Sequence, residues 1–327
     1  MADGHQMNRY ARQMILPEVG PAGQQRLTDA HVLVIGAGAL GVPVLQYLAG
    51  AGVGEITIVD PDRLEVSNLH RQVIYAEAQA GQYKASAAAQ ILAGLNSTIR
   101  LNPVQEWLTP ANAPALIAAA DLIMDCADSY AVSYTLSDCC LAAGKPLISA
   151  SALGLTGYVG GFCGGAPSLR AIFPDPSDGG ATCATAGVLG PVVGMLGTMQ
   201  ARMGLGILLG LTPSPLGMMT SIDAGMRISQ FRFDTAPEAP GPHFIARTQI
   251  LSDDLVVDLR GPDEAPQTAT PDALRLPDYG ATGPLPAAGQ RAVLACRSGL
   301  RAWRAANRLS QRWHGDIALL ALQGDDE

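Results

Sequence analysis

The stretch HVLVIGAGALG, residues 31–41, decides the fold. A run of apolar and β-branched residues ends in Gly36, Gly38 and Gly41, spaced G-x-G-x-x-G. An apolar helix pattern follows over 40–51, and EITIVD (55–60) reads as a second strand. Strand, glycine turn, helix, strand is the repeating unit of a parallel, doubly wound sheet. Glycines permit a tight turn and close approach of backbone to phosphate, and the helix N-terminus adds free N–H groups and a partial positive charge. Asp60 ends the second strand 19 residues beyond Gly41, where a carboxylate can bond ribose hydroxyls.

Working outward, residues 8–16 and 21–29 are amphipathic, and 83–95 reads as a helix. Strands are expected at 98–104, 121–126 and 146–151, with a helix between the first two. Beyond 151 the rhythm changes to shorter β-like runs at 156–163, 169–173 and 218–233, which predicts an antiparallel extension without alternating helices. A Pro/Ala-rich linker is expected at 236–250 and a second small α/β domain at 251–327, after a first domain at 1–235. The fold class expected is thus α/β, a Rossmann-like, mostly parallel sheet with an antiparallel extension, plus a small α/β domain. A unit of that size has little core of its own and gains by docking on the first.

Composition bounds the function. The 327 residues are 48% hydrophobic and 15% charged, with a net charge of −8. That is enough apolar side chain for a sizeable core, and no basic run suggests a nucleic-acid surface. The N-terminus has no apolar signal core, and the apolar region 183–222, cut by Arg202 and several prolines, reads as a buried core helix plus loop, so no membrane partner is expected. The six cysteines form no C-x-x-C pair, which suits free thiols in the reducing cytosol.

The residues after Asp60 distinguish the nucleotide. PDRLEVSNLHRQ supplies Asn68, Arg71 and Gln72, and Lys84, one of only two lysines in the chain, follows soon after. A nicotinamide needs little positive charge beyond its pyrophosphate, whereas a triphosphate under attack accumulates anionic charge. Asp128 lies just past a strand end on the carboxyl edge, where an acid can hold Mg²⁺ on phosphates. The pattern favours ATP and Mg²⁺; a NAD-dependent oxidoreductase is the alternative from another class, and Arg71 and Lys84 weigh against it. No P-loop pattern is present.

RYARQMILPEVG, VLVIGAGALG, VDPDRLEVSNLHRQ and AGVLGPVVGMLGTMQA resemble the adenylyltransferases that activate ubiquitin-like sulfur carriers, relatives of the ubiquitin-activating enzymes, over about residues 8–235. The resemblance implies a homodimer that binds Mg·ATP and adenylates the C-terminal glycine carboxylate of a small carrier ending in Gly-Gly. It implies that Asp60 holds the ribose, that Asn68, Arg71 and Lys84 contact phosphates, and that Asp128 binds the metal. Arg12 matches an arginine lent by the partner subunit. Many relatives carry two C-x-x-C pairs that hold zinc; GAPSLRAIFP (165–174) and TAPEAPGPHF (235–244) stand at the matching places without cysteine, so no zinc site is expected. A peptide or tRNA carboxylate is an alternative acceptor for the same chemistry.

Cys183, in GGATCATAGVLGP, precedes an apolar helix pattern that can lower a thiol pKa; in relatives a cysteine in this loop can bond the activated carrier. Cys126, Cys139, Cys140 and Cys163 read as core. Cys296 ends the strand AVLAC and opens CRSGLR before a helix, a loop whose N–H groups, with Arg297 and Arg301, can stabilise a thiolate or persulfide. With VVDLRGPDE upstream this resembles the rhodanese sulfurtransferase domain over about 250–327, and Asp258 and Arg260 match that family's structural strand-end pair. Together the resemblances imply adenylation of the carrier, then sulfur transfer from a Cys296 persulfide loaded by a persulfide donor, either directly or through a disulfide-linked step with Cys183.

Overall fold

The computed structural model describes residues 9–176 and 187–323. Short helix α1 (Ala11–Met14) and α2 (Gly20–Asp29) precede β1 (His31–Ile35), α3 (Gly41–Ala51) and β2 (Glu55–Val59). Then come α4 (Lys84–Leu95), β3 (Arg100–Val104), α5 (Ala113–Ala119), β4 (Leu122–Asp125) and α6 (Tyr130–Ala143). β5 (Pro146–Leu153), β6 (Thr156–Cys163), the one-turn α7 (Leu169–Ile172), α8 (Gly190–Leu208), β7 (Met218–Ile222) and β8 (Ile228–Arg232) complete an eight-stranded sheet. Its order is β3-β2-β1-β4-β5-β6-β7-β8, parallel as far as β5 and antiparallel beyond it.

The sequence reverses direction across the sheet between β1 and β4. Ile35 pairs with Val59 on one side and Asp125 on the other, so the carboxyl ends of three strands are level. Ligands of open α/β sheets sit in the crevice at this switch point. The inner strands are buried on both faces, which is why they read as apolar runs rather than alternations.

Two sequence expectations are corrected. Residues 169–173 form a helical turn instead of a strand, because Ser168 Oγ accepts the Arg170 N–H at 3.2 Å and caps it. The antiparallel extension is also covered after all: α8 crosses β5 and β6 and reaches α3, with small residues at the crossing. A Cβ at Gly197 would collide with Pro43 and Leu40, and one at Gly204 would lie 3.0 Å from Met124 Sδ. No helix among the described residues is long and apolar enough to cross a membrane.

A second, five-stranded parallel sheet has the order β11-β10-β12-β13-β9. Its strands are β9 (His243–Phe244), β10 (Leu255–Asp258), β11 (Leu274–Arg275), β12 (Ala292–Cys296) and β13 (Ile317–Ala321), with α9 (Leu300–Ser310) after β12. The 236–250 stretch therefore contributes an edge strand of its own. One continuous core joins the two sheets: Leu33, Ile123, Leu147 and Tyr134 belong to the same cluster as Val257, Leu294, Trp303 and Leu319. Each fully buried side chain of this size contributes about 1.5–3 kcal/mol, so the small unit is stabilised by the large one.

Candidate active site

The glycine turn is built by close backbone approach. Gly36 has φ +95°, and a Cβ there would lie 2.7 Å from the Cys126 carbonyl oxygen. A Cβ at Gly41 would collide with the Gly36 carbonyl. These two positions exclude side chains, and they bring the turn against the chain leaving β4. The first N–H groups of α3 follow directly on this turn and have no side-chain cap.

Asp60 is buried and locks the turn: the Ala37 N–H donates to Oδ2 at 2.7 Å and the Asp62 N–H to Oδ1 at 2.8 Å. Burial pushes its carboxyl above the usual range, against the opposing pull of Lys84 and of those N–H bonds. Lys84 is the first residue of α4, nearly buried, and its Nζ donates to Asp62 Oδ2 at 2.7 Å. Asn68 ends a short 3₁₀ turn, Val66–Asn68, and the Gln72 N–H returns to its carbonyl at 3.1 Å. The Gln72 side chain faces Gly38, 3.6 Å from where a Cβ would stand, and its buried Oε1 has no hydrogen-bond partner among the described residues. A buried orphan acceptor on a glycine cradle is a place for a ligand donor. Arg71 lines a crevice with Ala39, Val42 and Gly190.

Asp128 is exposed just beyond the end of β4. Asp125, three residues earlier, is not among the residues the sequence pattern singles out. That side chain is fully buried, accepts the Ser149 hydroxyl at 2.7 Å, and is pushed up to about 6 by burial, against bonds from Ser149, Ser133 and the Ala127 N–H. Gln200 of α8 donates to its carbonyl at 2.7 Å and to that of Ile148 at 3.0 Å. Asp125 thus fixes the strand ends beneath the crevice. Its position at the last residue of a buried strand was the available signal.

The structure brings together Gly36, Gly38, Gly41, Asp60, Gln72, Lys84 and the strand end that carries Asp128, with Asn68 and Arg71 on the adjoining segment. It does not bring Arg12 to them. Gln13 beside it donates to the Ala51 carbonyl at the far end of α3, about 15 Å along the helix axis from Gly41 at 1.5 Å per residue. Arg12 is exposed there, next to exposed Ile15 and Leu16. Cys183 lies outside the described residues.

The donor set suits Mg·ATP. The glycine cradle and the α3 N-terminus match phosphate, Asp60 and Gln72 offer polar groups to a nucleoside, and one carboxylate at Asp128 is what Mg²⁺ commonly takes alongside phosphate oxygens.

Cys296 closes β12 and is fully buried. The Ala302 N–H donates to its Sγ at 3.3 Å, so the opening turn of α9 points at sulfur. Arg301 is held by Glu264 and the Leu259 carbonyl; Glu264 first, and then Cys296 itself, raise its pKa. Arg297 and Ser298 form the exposed lip of the loop. Asp258 and Arg260 form the buried pair expected at the strand end, 3.0 Å apart. Burial would raise the Asp258 carboxyl, but bonds from Arg260 and the Ala269 N–H bring it below the usual range.

The cysteine-free segments 165–174 and 235–244 are tied by polar contacts. The Ser168 N–H and hydroxyl both donate to the Glu238 carboxylate, at 2.7 and 2.5 Å, and Arg170 Nη2 donates to the Pro242 carbonyl at 3.0 Å. Cys126, Cys140 and Cys163 are buried and Cys139 is half-buried.

Comparison with known proteins fits this geometry. The sequence model described as the ThiF family matches residues 10–240. The chain is 47% identical over 219 residues to the adenylyltransferase and sulfurtransferase MOCS3 of Sus scrofa, covering 66% of this chain and 48% of that protein. It is 41% identical over 227 residues to the sulfur carrier protein adenylyltransferase of Thermus thermophilus, covering 67% of this chain and 84% of that protein. The chain thus spans about half the length of the MOCS3 and Uba4 relatives it matches. Among solved structures, that of E. coli MccB with ATP superposes with a TM-score of 0.61 at 22% identity, over 70% of this chain and 73% of that one, a likeness of fold.

Proposed function

The chain belongs to the ThiF family, and from that premise we propose that it adenylates the C-terminal glycine carboxylate of a ubiquitin-like sulfur carrier and then converts it to a thiocarboxylate. The observation that carries the reading is the convergence of the glycine cradle, Asp60, the orphaned Gln72 carbonyl oxygen and Lys84 at one carboxyl edge, beside Asp128.

In the first step a carrier carboxylate oxygen attacks the α-phosphorus of ATP, the bond to the β-phosphate bridging oxygen breaks, and pyrophosphate leaves. Both reactants are anions. Lys84, Arg71 and Asn68 offset their repulsion, and the turn's N–H groups hold the phosphates in line. Asp128 would hold Mg²⁺, which would add positive charge at the phosphates. Arg12 is the group lent by the partner of a homodimer: it stands at the far end of α3 in its own chain, beside apolar side chains exposed for burial.

In the second step, the terminal sulfur of a Cys296 persulfide, supplied by a persulfide donor, attacks the acyl carbon. AMP leaves with the electron pair, and the carrier is joined to Cys296 as an acyl disulfide. A cellular dithiol attacks the Cys296 sulfur, the carrier thiocarboxylate departs, and the dithiol is oxidised as it closes on itself. Residues 1–235 perform the first step and 251–327 the second. Thiol chemistry of this kind fits a reducing compartment, so the cytosol is the proposed location. The test is mass spectrometry of the carrier. Cys296→Ala is expected to accumulate AMP–carrier and form no thiocarboxylate; thiocarboxylate formed at the wild-type rate would overturn the second step.

A further inference from the structure

The loop that holds Cys296 rests on the residues that follow Asp128. Gly299, three residues after Cys296, has φ +82°, and a Cβ there would lie 3.4 Å from the Ala131 Cβ and 2.5 Å from the Phe244 ring. Ala131 stands in the first turn of α6, three residues after Asp128. On the loop's other side, Cys296 pairs with Ala321, and Gln323, two residues further on, accepts the Ser129 hydroxyl at 3.0 Å. With chain spans of at most ~3.6 Å per residue, the Cys296 and Asp128 Cα atoms lie within roughly 28 Å of each other, and the loop after Cys296 packs on the first turn of the helix that follows Asp128.

The small unit is held there by a polar hub. Arg170 is 4% exposed. Its Nε and Nη2 donate to both oxygens of Asp138, at 2.6 and 2.8 Å, and Asp138 also accepts His243 Nδ1 at 2.8 Å. The guanidinium lies 5.1 Å from the Tyr134 ring centre and 5.0 Å from that of Trp303. Trp303 Nε1 and Asn307 Nδ2 of α9 both donate to Asp175, at 3.0 and 2.6 Å. The hub thus fastens α9, which begins at the sulfur loop, to α6, which begins at the adenylation site. A paired, hydrogen-bonded Arg–carboxylate in a buried setting fixes one geometry and is costly to half-remove.

We propose that Cys296 delivers sulfur to the adenylate formed in its own chain, and that Arg170 and Asp138 are positioning residues that hold the sulfur loop against the first turn of α6. The proposal rests on the two-step reading above. The bond formed joins the terminal persulfide sulfur to the acyl carbon; the bond broken joins that carbon to the AMP oxygen, and AMP takes the electron pair. Holding the two centres together replaces a bimolecular encounter by an intramolecular one.

The test uses full-length chains carrying Asp128→Ala or Cys296→Ala, each with a different tag, co-expressed and purified over both tags or, where the chains do not associate, mixed at equal concentration. Thiocarboxylate is measured with a Gly-Gly carrier, Mg·ATP, a persulfide donor and a dithiol. The expected result is at most about 1% of the wild-type rate, since no chain holds both centres, and a wild-type rate per chain that does not change over a hundredfold dilution. Recovery of a quarter or more of the wild-type rate would show that sulfur passes between chains and would overturn the proposal. The wild-type reaction run alongside tests the underlying reading separately. For the hub, Asp138→Asn is expected to lower kcat for thiocarboxylate about tenfold at unchanged KM for the carrier, with ATP–pyrophosphate exchange and thiosulfate-to-cyanide transfer kept within twofold and Asp138→Glu partly restoring kcat. Trp303→Phe, which keeps an aromatic ring and loses the bond to Asp175, is expected to act in the same direction and serves if Asp138→Asn does not fold. An unchanged kcat in these variants, or equal loss of all three activities, would overturn the positioning role.

Discussion

Two loops of this molecule share one construction and differ in what they enclose. Each leaves the carboxyl end of a buried parallel strand and turns directly into a helix: 36–40 after β1, and 297–299 after β12. In the first, glycines pack backbone on backbone, the Ala37 N–H is held by Asp60, and the Gln72 side chain lies against Gly38. In the second, the Ala302 N–H is turned inward onto the Cys296 sulfur, and Arg301 closes the side. One turn opens a helix that has no side-chain cap; the other turns a donor onto a sulfur of the chain itself. Under the proposed function, the same helix-terminal dipole favours phosphate in one place and a persulfide in the other.

Variants can break this contrast. The largest effect is expected from Gly41→Val, whose side chain has no room beside the Gly36 carbonyl; ATP binding, measured by isothermal titration, should be lost. Asp128→Ala comes next, with carrier-dependent pyrophosphate exchange down by about 10³ or more, on the scale of removing a group that stabilises transition-state charge, and with the far-ultraviolet circular dichroism spectrum unchanged. Lys84→Met should cost roughly 10²-fold in the same assay, since Lys84 also offsets the burial of Asp60. On the sulfur side, Arg301→Gln should slow thiosulfate-to-cyanide transfer about tenfold, the worth of one charge-assisted contact at a partly exposed site.

The glycine turn was legible because its signal is local. Glycine spacing, an apolar strand and the acid at the next strand end all lie within thirty residues, from His31 to Asp60. The sulfur loop was legible for the same reason, since a cysteine at a strand end before an arginine-rich helix is a contiguous pattern. The docking of the two units was not. Asp138, Arg170, His243 and Trp303 are each polar or amphipathic residues with no mutual spacing, and only the folded chain brings them together. Residues 169–173 misled because LRAIF is a short apolar run broken only by Arg170, whereas the cap at Ser168 decides its local structure. Asp125 was hidden by Asp128: one ends the strand and the other lies three residues beyond, and sequence gives no depth.

The smallest expected effect concerns that buried acid. The folded pKa of Asp125 is raised to about 6, above its value of 3.8 in water, chiefly by burial. The folded state therefore holds a proton that the unfolded chain releases between about pH 4 and 6, and stability falls as pH rises through that window. Asp125→Asn, which has no such proton, should flatten the decline in the denaturation midpoint between pH 4 and 6.5; an equal decline in both proteins would remove Asp125 as its source.

The most direct measurement of the central claim is ATP–pyrophosphate exchange by the purified chain with candidate carriers ending in Gly-Gly. The expected result is exchange that requires the carrier and disappears when its final glycine is deleted. Exchange that ignores the carrier, or none with any carrier under conditions where ATP binds, would contradict it.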